Sequence, residues 1–126
     1  MKSIIVTMLT TIALLISINA LAIDMPDIAK KNGCTACHAI EKKMVGPAWM
    51  DVSKKYKGVA KFKYSKSGSN APDAKTYSLE QGLVLKVSKG GHGNWGSAPM
   101  AANDPAGKKQ PAIKSLVKFI LGLAKK

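Results

Sequence analysis

Arginine is absent from the 126 residues, so all 20 side chains in the basic count are lysines. Cysteine and histidine occur twice each, and acidic side chains number only 7. Two cysteines exclude a disulfide scaffold and a four-cysteine zinc site. Two histidines and seven acids leave little for hydrolytic or multi-metal chemistry. Hard chemistry in such a chain belongs to a cofactor. With 11 glycines and 6 prolines the composition is neither collagen-like nor of low complexity. An apolar fraction of 46% excludes a disordered polyelectrolyte, although the formal charge is +13. The length suits one domain.

The one long hydrophobic run is N-terminal. Lys2 precedes the apolar stretch Ile4–Ile18, and Ala20-Leu-Ala22 has the small-x-small form of a cleavage site. Residues 1–22 therefore read as a secretory signal peptide and 23–126 as the mature domain, exported to the periplasm. An uncleaved anchor is the alternative, since Ile4–Ala22 approaches the ~20 residues that span a bilayer. The absence of cysteine in or just after this segment excludes a lipoprotein anchor.

Along the mature chain, Ile23–Asn32 is expected as a short helix capped by Asp24 and stopped by Gly33. Ala48–Tyr56 is a second, with Trp49 and Val52 on one side. Lys57–Thr76 reads as a loop or small hairpin. Ser78–Ser88 regains helical spacing behind the capping box Ser78-Leu-Glu-Gln81, with Gly82 as a weak point. Lys89–Gln110 is a long Gly/Pro/Asn loop, of a length that is usually functional. Pro111 opens the clearest helix, with Ile113, Leu116, Val117, Ile120, Leu121 and Ala124 on the apolar face. The fold class expected is all-α.

Cys34-Thr-Ala-Cys37-His38 is the strongest chemical signal, the pattern of covalent c-type haem attachment. Two thiols at this spacing can each add to one haem vinyl group. The adjacent imidazole then lies under the iron as proximal ligand. A Cys34–Cys37 disulfide would close too small a loop to stabilise much. A thioredoxin-like dithiol lacks its βαβ setting, and half a zinc site lacks a second ligand pair. The donors left for a sixth position are Met25, Met44, Met50, His92 and Met100. Met25 lies upstream, Met44 is close behind His38, and Met50 belongs to a short helix. Met100 follows Pro99 in the long loop, which can wrap the opposite haem face. It is the preferred donor, and His92 is its competitor. Methionine ligation would give the higher potential.

Gly33-Cys-Thr-Ala-Cys-His-Ala-Ile40, Met44-Val-Gly-Pro-Ala48, Asp51-Val-Ser-Lys-Lys-Tyr56, Asn94-Trp-Gly96 and Pro99-Met100 stand in order before the terminal helix. With them the chain resembles the small bacterial periplasmic single-haem class I cytochromes c. The resemblance implies short helices wrapped around one covalent haem c held by Cys34 and Cys37, with His38 and Met100 as iron ligands. It implies that the Pro47 carbonyl accepts from His38, and that Trp95 and Lys86 attend the haem propionates. It implies that the first and last helices cross, with Gly33 and the Phe119/Ile120 region as the contact. The segment Lys57–Thr76 departs from it, being longer than compact members need.

The function implied is a one-electron carrier serving a terminal oxidase or reductase, not an enzyme. A haem-based small-ligand binder or redox catalyst with an open or labile sixth position is the alternative. The lysine excess suits acidic redox partner proteins and peripheral contact with an anionic membrane. Nucleic acid is excluded by export and the lack of any motif for it. A monomer is expected.

Overall fold

The structure is a computed structural model and describes residues 21–125. The expected leader lies outside these residues except for its last two positions. Helix α1 is Asp27–Lys31, followed by a 3-10 turn at Cys34–Ala36. Helix α2 is Trp49–Lys55, and strands β1 (Lys61–Tyr64) and β2 (Lys75–Ser78) form an antiparallel hairpin. Helix α3 is Leu79–Lys89, α4 is Gln110–Gly122, and a last 3-10 turn covers Leu123–Lys125. The expected helices are present, and of the two readings of Lys57–Thr76 the small hairpin is the one that forms, its second strand running on to Ser78.

Helix α1 is shorter than expected, and Asp24 does not cap it. Pro26 is the N-cap, and its carbonyl accepts from the Ala29 amide at 2.9 Å. Proline holds Met25 out of helical backbone, so the turn cannot begin earlier. Asn32 closes the helix, its side-chain amide donating to the Ile28 carbonyl at 2.7 Å. A Cβ added at Gly33 would meet nothing within 4 Å. Gly33 is therefore not a close helix-crossing point; its φ of +70° is the reason for glycine there.

Helix α2 buries Trp49 and Val52 as its spacing predicts. It also buries Ser53, which is 1% exposed. The Ser53 hydroxyl donates to the Leu121 carbonyl at 3.0 Å and accepts from the Ala124 amide at 2.9 Å. These bonds join α2 to the end of α4.

The Lys61-Phe-Lys-Tyr64 alternation sends Phe62 and Tyr64 inward and both lysines to solvent. Phe62 packs onto α3 at Gly82, where an added Cβ would lie 2.6 Å from its Cδ1. The helix-weakening glycine is thus the socket for a core ring. The expected capping box does not form at the start of α3. Ser78 donates to the Gln81 side chain at 3.0 Å instead of capping a backbone amide.

Helix α4 buries Ile113, Leu116, Val117 and Ile120. Its start is organised from a distance by Asp104. That carboxylate accepts from the amides of Lys108 and Lys109, both at 2.8 Å, and from the Gln110 side chain at 2.9 Å. Gln110 also donates to Ser88 at 2.9 Å, which ties this corner to α3.

Candidate haem site

The turn after α1 winds the two cysteines and His38 together. The amides of Cys37 and His38 both donate to the Cys34 carbonyl, at 3.1 and 2.9 Å. Cys34 is buried, Cys37 is exposed, and both thiols are free. Burial raises the Cys34 thiol above its ordinary range; a backbone hydrogen bond opposes this, and the neighbouring Cys37 adds to it.

His38 is fixed on two sides by the loop that leads to α2. Its Nδ1 donates to the Pro47 carbonyl at 2.8 Å, since that oxygen can only accept. This leaves the Nε2 lone pair free to bind a metal. Gly46 lies against the ring, and a Cβ there would come within 2.8 Å of Nδ1. The Trp49 ring centroid is 5.9 Å from that of His38. The loop itself is pinned by Gly46 donating to the Cys37 carbonyl at 2.9 Å and Trp49 donating to the Ala39 carbonyl at 3.0 Å.

Cys34, Cys37 and His38 open onto a cavity of about 350 Å³. Leu83, Val87, Val117 and Ile120 supply apolar wall from α3 and α4. Met100 lines the same cavity from the long loop, as do Lys86, His92 and Trp95. Met25 and Met44 line a different, shallow depression, and Met50 packs against the core. Of the five candidate sixth donors, the cavity thus gathers Met100 and His92. Met100 is partly buried and His92 is exposed.

Lys86 reaches across this region. Its ammonium donates to the Gly91 carbonyl at 2.5 Å and the His92 carbonyl at 3.4 Å. Burial lowers its pKa. Trp95, 39% exposed, stands at the rim with the Lys55 ammonium 4.2 Å from its ring centroid. Lys55 also donates to the Asn94 carbonyl at 2.7 Å.

The donor set fits an iron porphyrin. An apolar chamber takes the macrocycle, two thiols sit at its edge, and an imidazole nitrogen and a thioether sulfur share the space. Among the described residues there is no cluster of three or more His, Cys, Asp or Glu side chains that could hold a bare metal ion.

Sequence reasoning missed Asp104, Ser53 and the Tyr64 hydroxyl, which donates to the Gly90 carbonyl at 3.3 Å. Ser53 and Tyr64 act on backbone distant in sequence, and Asp104 acts on amides four and five residues on, outside the position where a helix cap is sought. No local pattern marks such partners.

No family model matches the chain. Individual relatives do. Cytochrome c-551 of Allochromatium vinosum is 42% identical over 96 residues, covering 76% of this chain and 82% of that protein. Cytochrome c-552 of Hydrogenobacter thermophilus is 38% identical over 96 residues, covering 76% and 78%. The crystal structure of Nitrosomonas europaea cytochrome c552 superposes with a TM-score of 0.55 at 34% identity, covering 77% of this chain and 96% of that one. The chain therefore belongs to the small bacterial class I cytochromes c, electron carriers that hold one haem c covalently.

Proposed function

We propose that the mature chain is a periplasmic shuttle that takes one electron from a donor protein and delivers it to a terminal oxidase or reductase. The observation that carries this reading is the single cavity shared by Cys34, Cys37, His38 and Met100. The haem, when bound, supplies the Fe(III)/Fe(II) couple. Cys34 and Cys37 hold it through thioethers. His38 presents Nε2, oriented by the Pro47 carbonyl. Met100 presents its sulfur from the facing loop. Trp95 and Lys86, at the cavity wall, serve the propionates. With His38 and Met100 both available to hold its iron, a substrate would find no free position there, which favours a carrier over a catalyst.

The lysine surface supports an acidic redox protein as partner and is compatible with an anionic membrane surface. Among the described residues no helix is long and apolar enough to cross a membrane. Cleavage after Ala22 and a monomeric state complete the proposal.

Two measurements test it. Intact mass after expression with haem-attachment machinery must equal the polypeptide from Ile23 plus one haem; a bare polypeptide mass overturns the assignment. Met100→Ala must abolish the weak red-edge absorption band of thioether-bound ferric haem and lower the midpoint potential, because thioether ligation raises it. An unchanged potential would remove Met100 from the iron.

A further inference from the structure

The hairpin β1–β2 with its turn at 65–74 does not hang free of the site. It stacks behind the strand that carries Met100. Met100 and Gly91 form an isolated antiparallel bridge, the Gly91 amide donating to the Met100 carbonyl at 3.0 Å and the Met100 amide to the Gly91 carbonyl at 2.9 Å. On its other side the Gly91–Gly93 backbone meets the hairpin turn. The His92 amide donates to the Lys66 carbonyl at 3.3 Å, and the Ser69 hydroxyl donates to the Gly93 carbonyl at 3.4 Å.

These backbones are too close for side chains. A Cβ at Gly91 would lie 2.6 Å from the Lys66 carbonyl oxygen, and one at Gly93 would lie 2.7 Å from Gly68 Cα. Gly91 also has φ +101°, which disfavours any other residue. The Tyr64 hydroxyl, at the end of β1, reaches the Gly90 carbonyl. The turn is itself closed, since Ser65 donates to both carboxylate oxygens of Asp73 at 2.8 and 2.9 Å and accepts from the Ser67 amide at 3.0 Å. Three layers result: the hairpin turn, the Gly90–Gly93 loop, and the Met100 strand.

We propose that the hairpin turn is a backstop that positions Met100, with Lys66, Gly91 and Gly93 as the positioning residues and Ser65–Asp73 as the clasp that keeps the backstop closed. The inference rests on the reading of Met100 as the distal ligand. A methionine strand wedged from behind leaves the iron rarely. An external ligand binds only to the fraction of molecules in which methionine has left, so its apparent affinity reports how firmly the strand is held.

The test is an imidazole titration of the ferric holoprotein, followed by loss of the thioether band, alongside thermal unfolding. Asp73→Ala opens the clasp without touching the cavity wall, and Gly93→Ala, on the facing loop, pushes a methyl against Gly68 of the turn; these two are the hairpin variants. Ser53→Ala, at the α2–α4 joint, is the stability control. The expected result is that both hairpin variants raise imidazole affinity by on the order of tenfold. Ser53→Ala lowers the melting temperature and leaves that affinity unchanged. If Gly93→Ala does not fold, Asp73→Ala alone decides.

Hairpin variants with parental affinity overturn the backstop. So does a rise in affinity that merely follows melting temperature across all three variants. Met100→Ala in the same titration separates the two levels: a band that survives this substitution sinks the ligand reading, whereas its loss there beside unmoved hairpin variants sinks only the backstop.

Discussion

Gly82 shows how one residue serves two opposed demands. Alanine there would gain about 1 kcal/mol of helix propensity. It would also drive a methyl into the Phe62 side chain, whose Cβ, Cγ and Cδ1 would all lie within 2.9 Å. Overpacking a buried site costs typically ~1–3 kcal/mol, so the clash wins. Taking the middle of that range less the propensity gain, Gly82→Ala is expected to destabilise the holoprotein by about 1 kcal/mol in chemical denaturation. A neutral or stabilising result would mean that the hairpin can lift away from α3. The glycine is visible in the sequence as a flaw in a helix, but its purpose is not, because Phe62 lies on another element. The haem motif was legible for the opposite reason. Cys34, Cys37 and His38 lie within one turn, so their spacing alone carries the proposed chemistry.

Elements were legible where their signals were local. Helix α4 announces itself through Pro111 and an unbroken apolar face. The ends of α1 and α3 were less accurate because their termini use other partners than the sequence suggests. Pro26 replaces Asp24 at one, and Ser78 bonds a side chain at the other. Asp104 is the clearest instance, a carboxylate six residues before the helix it organises. Burial raises its pKa, but the bonds from Gln110, Lys109 and Lys108, with the Lys109 charge, outweigh that and hold it below the ordinary carboxylate range. Its folded-state pKa is therefore below the unfolded value of about 3.9. The stabilisation it gives is fully present above that unfolded value and is lost as pH falls through the folded one. Asp104→Asn should lower the melting temperature clearly at neutral pH, and the gap from the parent should close as pH drops below ~4. A gap that stays constant with pH would show that shape, not charge, sets the corner.

For the whole molecule, charge is the dominant property. Among the described residues two ion pairs occur, Lys30–Asp27 and Lys114–Glu80, and both are exposed. Such pairs contribute little to stability. Most lysines therefore project an uncompensated field. The rate of electron exchange with an acidic redox protein should fall on the order of tenfold between low and near-molar salt. Exchange with an uncharged small reductant should hardly change. Equal salt sensitivity for both would show that the field plays no part in encounter. Because arginine is absent, every fixed cation outside the chain terminus is a primary amine. A single acylating reagent can therefore erase the long-range attraction while the imidazole and thioether proposed to hold the iron remain untouched. The pull that brings a partner in and the centre that passes the electron are separable by chemistry on one purified sample.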